Sequence, residues 1–334
     1  MKAVLCRRRT GATLAGFENV DLPAPAPGPR DLLVRIEAAA LNPLDCKRRS
    51  ARPDPDPDGA ILGWDAAGTI ESLGADVTGF RVGDRVFYSG SILRPGCLSE
   101  LHLVDERLAA RRPDALSPAQ ACALPLAALT ASEALWDHLG LGTDAEPGVL
   151  LIVGGAGSVA SMAVQLARTI PRLTIVAAVS RAESRDWLRS IGADHVVSYL
   201  APYAEQFEAA NIPPPRRILS MFTGAAAWRD YVTIAEPFGR ICIVDHPQGI
   251  DFSEARSKSL GIFWQAMFTR SSWRTEDMAR QGDYLRQLGV LIESGAIRAL
   301  PVTGNGAIDA HSVEAAHAAD RSDPGKRVFE GFRA

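Results

Sequence analysis

Residues 149–160 read VLLIVGGAGSVA, five apolar residues that break into glycines and then resume with a helical pattern. Gly155, Gly157 and Ala160 stand at the G-x-G-x-x-A spacing that can hold a pyrophosphate. The first glycine makes a tight turn, the second lets backbone approach the phosphates, and the small third residue packs helix on strand. N–H groups at the start of the following helix lack intrahelical acceptors and present a positive end to the anion. Gly154, Gly155, Ala156, Gly157, Ser158 and Val159 are therefore the candidate dinucleotide contacts, with a merely tight turn as the alternative.

The next apolar run, LTIVAAV, ends in Ser180 and Arg181, with Arg185 one turn further on. An NAD-selective unit ends that strand in Asp or Glu, about 20 residues past the glycines, to bond the ribose hydroxyls. A carboxylate there repels a 2′-phosphate, whereas a guanidinium grips one in bidentate fashion. Ser180, Arg181 and Arg185 thus favour NADPH over NADH. Ser180 and Glu183 also have the spacing of a helix capping box, and both roles are compatible at a helix start. Ligands of such sheets lie beyond the carboxyl ends of the strands, which marks positions 180, 222 and 244.

These residues need a frame that holds them at one edge. Val159, Met162, Ala163, Leu166 and Ala167 recur at helical spacing after the glycine turn. Strands at 149–153, 173–179, 195–199, 217–222 and 240–245 alternate with helices at 158–169, 182–191, 203–210 and 225–236, which implies a parallel sheet covered on both faces. The first part of the chain reads differently. Met1–Cys6, Asp31–Ala39, Gly63–Leu73 and Arg81–Tyr88 have strand character, and RPDPDPDG at 52–59 is a loop. Ser117 and Pro118 form an N-cap and first helical residue, opening an Ala- and Leu-rich stretch to Leu139. A helix at 283–294, a strand at 298–302, a helix at 310–320 and a strand at 326–331 close the chain, and either extend the parallel sheet or return to the β domain.

At 334 residues and 47% hydrophobic, the chain can bury a large core and is expected to form two domains. A net charge of −3 favours neither polyanions nor membranes as partners, so nucleic acid and membrane binding are not expected. No apolar run approaches the roughly 18 residues of a membrane span, and no apolar h-region follows Arg7–Arg9, which together favour a cytoplasmic location. The five cysteines are dispersed and none pairs as C-x-x-C, as in a reduced compartment. Neither they nor the six histidines show the clustered spacing of a zinc site.

The segments ILGWDAAGTIESLGADVTGFRVGDRVF, LPLAALTASEAL and GADHVVSY, taken with the glycine turn, resemble the medium-chain dehydrogenase/reductase superfamily. The blocks SGSILRPG, LVDERLA and MFTRS narrow the resemblance to zinc-type alcohol dehydrogenase-like proteins and NADPH:quinone reductases. It implies an α/β protein: a GroES-like β domain, 1–122 completed by 272–334, around a Rossmann NADPH-binding domain at 123–271, with cofactor in the cleft between them and a homodimer formed through an edge of the Rossmann sheet. By the same resemblance Thr130, Tyr199, Phe222, Thr223 and Val244 contact the cofactor, and Phe268, Arg270 and Lys326 line the cleft from the far side. Ser158 and Ala160 replace two glycines common in the family, and Ser158 adds a side chain that either bonds or crowds a phosphate.

Zinc-using members of the family place a cysteine, a histidine, and a second cysteine or carboxylate where this chain has Asn42, Trp64 and about Leu126. None of these three is a usable ligand, so a zinc-free enzyme is expected. Without a Lewis acid, alcohol oxidation is difficult, whereas hydride addition to a quinone or conjugated enone delocalises its charge onto a carbonyl oxygen. The expected activity is therefore hydride transfer from NADPH to a small-molecule quinone or α,β-unsaturated carbonyl. An enoyl reductase of a biosynthetic pathway and a non-catalytic NADPH sensor are the alternatives. Asn42 is the leading candidate for donating a hydrogen bond to substrate or ribose, against a plain Asn-Pro turn. Tyr88 is a proton donor or a packing aromatic, and Asp65 either orients a partner or is structural.

Overall fold

The structure, a computed structural model, describes residues 1–142, 148–181, 183–319 and 325–332. The chain divides into two compact units, Met1–Leu126 with Phe268–Ala334, and Ala127–Met267.

The first unit begins with β1 (Lys2–Arg7), β2 (Gly16–Asp21), β3 (Asp31–Ala40), α1 (Pro43–Ser50) and β4 (Ala60–Ile61). It continues through β5 (Asp65–Leu73), β6 (Arg85–Ser89), β7 (Leu101–Asp105), β8 (Ala109–Arg111) and α2 (Pro118–Cys122). Helix α3 (Pro125–Ser132) leads into the second unit. There β9 (Val149–Val153), α4 (Ser158–Arg168), β10 (Thr174–Val179), α5 (Glu183–Ser190), β11 (His195–Ser198) and α6 (Tyr203–Ala209) alternate. They are followed by β12 (Arg217–Ser220), α7 (Ala225–Ile234), β13 (Arg240–Ile243) and β14 (Gly261–Trp264). The chain returns to the first unit with α8 (Thr269–Trp273), α9 (Arg280–Glu293), β15 (Val302–Gly304), α10 (Ala310–Ala318) and β16 (Lys326–Glu330).

In the first unit the larger sheet runs β15-β16-β3-β5-β6-β8, with β7 also on β3, and the smaller runs β2-β1-β4. Strand β3 is its spine. It pairs antiparallel with β5 along most of its length, with register shifts between Leu33 and Val34 and between Ile36 and Ala38. The two backbones meet closely at Gly68, where a Cβ would lie 2.1 Å from the carbonyl oxygen of Arg35. Strand β16 pairs with the far end of β3, Val328 opposite Ala40. The last strand of the chain therefore joins the first unit rather than the parallel sheet.

The second unit is a six-stranded parallel sheet in the order β11-β10-β9-β12-β13-β14. Counted within the sheet this is 3-2-1-4-5-6, the Rossmann order. Its strands are apolar along their length because helices cover both faces. Leu151, Val153, Val176, Ile218, Ile241 and Ile243 are buried against Trp228 and Tyr231 of α7.

Several elements differ from expectation. The stretch from Ser117 to Leu139 is not one helix: α2 stops at Cys122, α3 restarts at Pro125, and Glu133–His138 form a π-helical turn. A proline inside the run removes a backbone donor, so the helix must break there. The strand read at 298–302 begins instead at Val302, after Pro301, for the same reason. Strand β14 was not among the strands read from the sequence. Among the described residues no helix is long and apolar enough to cross a membrane.

Candidate active site

Three strand ends of the larger sheet meet at one buried polar cluster. Strand β3 ends at Ala40, and the chain turns through Asn42, the N-cap of α1, because Pro43 suits a first helical position. Asp65 opens β5 opposite Ala40. Lys326 opens β16 on the other side of β3.

Within this cluster the Asn42 amide Nδ2 donates to Asp65 Oδ2 at 2.9 Å, and the Lys326 ammonium lies 3.2 Å from the same oxygen. Lys326 also donates to Asn42 Oδ1. The other Asp65 oxygen accepts from the backbone N–H of Leu126 at 2.7 Å. Asp45 braces the turn from below: Oδ2 accepts from the Asn42 N–H at 2.7 Å and Oδ1 from the Gly63 N–H at 2.9 Å. All four side-chain-bearing residues are buried, Asp65 completely and Lys326 to within 4%.

This wiring gives Asn42 a direction. An ammonium has only hydrogens to offer, so the amide oxygen must face Lys326 and the NH2 must face Asp65. One hydrogen of Nδ2 is taken by Asp65, which leaves the second for another acceptor. Electrostatics in the cluster follow from burial. Desolvation pushes Asp65 up, while the Lys326 charge and the bonds from Asn42 and Leu126 pull it back. Asp45 has no ammonium bonded to it, and burial raises it to about 7 despite its two backbone donors. Sequence reasoning did not single out Asp45, although Asn42-Pro-Leu-Asp45 has the spacing of a capping box.

Tyr88 is not brought to this cluster. It faces away from Asp65 on β6, is fully buried and stacks on His102, with its hydroxyl 2.9 Å from His102 Nδ1. Burial raises its hydroxyl well above the ordinary tyrosine range. Lys326 is itself buried, its ammonium engaged by Asn42 and Asp65. Arg270 bonds Asp277 at 3.0 and 2.8 Å, and Phe268 meets Trp64 edge-on at 6.1 Å between ring centroids. Trp64 itself donates through Nε1 to the Ser91 carbonyl at 3.1 Å.

In the second unit the glycine turn has the geometry its residues allow. Gly155 sits at φ +62°, in the left-handed region, with open space where a side chain would be. Gly157 is the N-cap of α4 and offers no side-chain cap to the first-turn N–H groups of Ser158, Val159 and Ala160. Ala160 is buried, whereas Ser158 and Val159 are half-buried. Beyond the carboxyl ends of β10, β11 and β12 the Tyr199 hydroxyl donates to Ser180 Oγ at 2.8 Å, and the Tyr199 ring lies 5.9 Å from that of Phe222, which is 58% exposed. Arg181 is exposed at the same edge, and Arg185 reaches back to the Val196 carbonyl at 3.3 Å. The Thr223 N–H donates to Asp245 Oδ2 at 2.7 Å, so Asp245, which the sequence did not flag, shapes the loop after β12. Val244 bonds Ser220 across the strand ends and Thr130 is buried in α3.

Comparison with known proteins agrees with this architecture. Residues 28–114 match the alcohol dehydrogenase GroES-like domain. A zinc-type alcohol dehydrogenase-like protein of Staphylococcus aureus (strain MSSA476) is 34% identical over 283 residues, 84% of each chain. A crystal structure from Rhizobium etli CFN 42, assigned as a zinc-dependent alcohol dehydrogenase, superposes with a TM-score of 0.94 at 38% identity, covering 100% of this chain and 99% of that one. A chloroplastic quinone-oxidoreductase, QR1, of Triphysaria versicolor is 36% identical over 197 residues, 58% of this chain and 59% of that protein. With a GroES-like sheet unit joined to a Rossmann-type parallel sheet and relatives of this closeness, the chain belongs to the medium-chain dehydrogenase/reductase superfamily of oxidoreductases.

Proposed function

We propose that this chain is a zinc-independent oxidoreductase that passes hydride from NADPH to a quinone or α,β-unsaturated carbonyl. The observation that carries the reading is the Asn42 amide, oriented by Lys326 and Asp65 so that one N–H is left for another acceptor.

The positions that zinc-using relatives fill with ligands do not fit a divalent cation here. Asn42, Trp64 and Leu126 bring a carboxamide, an indole and an aliphatic side chain, and an ammonium already lies against Asn42 and Asp65. Asp65, the one anion of the set, has its oxygens occupied by three donors. Among the described residues no group of three or more His, Cys, Asp or Glu side chains is arranged to hold a metal.

The second unit does fit a dinucleotide. Gly155, Ala156 and Gly157 leave room for a pyrophosphate at the uncapped start of α4, and the exposed Phe222 beside Tyr199 offers a face for an adenine. Exposed Arg181, in place of an acid, selects a 2′-phosphate. Bound NADPH supplies the hydride. Asn42 donates to the carbonyl oxygen on which charge develops, and water completes the proton transfer. Lys326 places a fixed positive charge behind that amide, in a site dry enough for it to count.

Steady-state oxidation of NADPH and NADH against a set of quinones, enals and enones tests this reading. A charged phosphate contact is worth about 1.5–3 kcal/mol, so Arg181→Ala should raise the KM for NADPH by roughly 10- to 150-fold and leave that for NADH unchanged. Equal KM values for NADPH before and after substitution would remove the NADPH assignment.

A further inference from the structure

Away from the buried cluster, a thiol and an imidazole from opposite ends of the chain meet. Cys46 lies in the first turn and a half of α1 and His317 near the end of α10, and Cys46 Sγ is 3.2 Å from His317 Nδ1. The pair is held in place from three sides. The His317 ring packs on Phe17 of β2 at 4.8 Å between centroids, and the Arg49 guanidinium lies 4.8 Å from the centroid of the Phe17 ring. Arg49 also bonds the Ala15 carbonyl and pairs with Glu314 of α10, which ties α1 to α10 on either side of the thiol.

The other four cysteines contrast with Cys46. Cys6, Cys97, Cys122 and Cys242 are fully buried, and burial raises every one of them, Cys6 to about 11 and Cys242 to about 12. Cys46 alone is half-buried, with an imidazole nitrogen 3.2 Å from its sulfur. The thiolate is the nucleophile in cysteine chemistry, and an adjacent imidazole favours it.

We propose that Cys46 and His317 form a thiol–imidazole pair that makes Cys46 the site of covalent addition by small conjugated carbonyl compounds. His317 takes the thiol proton, the sulfur bonds the β-carbon as the C=C π bond opens toward the carbonyl, and the imidazolium returns its proton to the resulting enolate. Every atom and electron of the two reactants is retained in the thioether. Neither NADPH nor the hydride chemistry takes part, so this addition stands or falls independently of the proposed reductase activity.

The test is alkylation of the intact, folded protein by N-ethylmaleimide without nucleotide, with adducts located by peptide mass mapping. An ordinary thiol is only about 3% thiolate at pH 7, so full activation is worth up to about 30-fold. We expect the first adduct on Cys46, at a rate about tenfold or more above that of a free cysteine peptide. Cys46→Ser should abolish it, and His317→Gln should return the rate to that of the free peptide. His317→Phe keeps a ring against Phe17 and should give the same loss, separating proton acceptance from packing. First reaction at another cysteine, a rate no faster than the peptide's, or a rate indifferent to both His317 variants would overturn the proposal. Folding of each variant is checked by its thermal melt, and the two His317 substitutions serve as substitutes for one another.

Discussion

A single ammonium decides how Asn42 is turned. With Lys326 on its oxygen and Asp65 on its nitrogen the amide has one orientation, and the charges that impose it compensate each other out of water. Removing one partner of such a pair leaves the other buried and uncompensated. Lys326→Met should therefore lower stability by about 3–5 kcal/mol, while Asp65→Asn with Lys326→Met should recover most of it, as read by urea melts of the single and double variants. Equal losses in both would mean that the pair carries no coupling. His102 gives a pH test of the same unit. Burial lowers it to about 4 from 6.5, so the folded protein holds it neutral beside Tyr88 while the unfolded chain protonates it below about 6.5. Its contribution is fully present above that pH and is lost as pH falls from 6.5 toward 4. At about 1.4 kcal/mol per pH unit of displacement the loss reaches roughly 3 kcal/mol, and His102→Gln should flatten that part of the melting-temperature profile. Asn42, Asp65 and Lys326 were each visible in the sequence as polar residues at strand or helix boundaries. What joins them was not, because the tie depends on β16 pairing with β3, and no local pattern records a partner 284 residues away.

Elements differ in how sharply their residues constrain them. Gly68 and Gly155 are both required, for different physical reasons. A methyl at Gly68 would run into the backbone of β3, which cannot yield without breaking the ladder. A methyl at Gly155 meets no atom and is opposed only by its left-handed backbone. We expect Gly68→Ala to cost more than about 3 kcal/mol and Gly155→Ala about 1–2 kcal/mol, measured by chemical denaturation. The reverse ranking would contradict the packing of β3 on β5. The alternating strands and helices from Val149 to Ile243 were legible because each buried strand is a continuous apolar run and each helix repeats every third or fourth residue. Helix α1 was not, since its eight residues PLDCKRRS carry four charges and lack an apolar stripe. The turn at Glu133–His138 was equally hidden, because a π-helical ring differs from an α-helical one by one residue of hydrogen bonding and not by composition.

At the scale of the whole chain, two units differ in composition: one builds a buried polar cluster from sheet ends, the other a glycine turn at the edge of a parallel sheet. The fold class followed from the change of pattern near residue 117, and the destination of the last strands followed from resemblance rather than from pattern. The activity proposed above is hydride transfer from NADPH to a quinone or conjugated carbonyl that Asn42 helps to hold. Incubating the protein with NADPH deuterated at C4 and an α,β-unsaturated ketone, then weighing the product, tests it most directly. We expect a saturated ketone carrying a single deuterium at its β-carbon, formed by the wild type and strongly reduced in Asn42→Ala. Tight NADPH binding with no labelled product from any enone or quinone would contradict it and leave a nucleotide-binding protein without this chemistry.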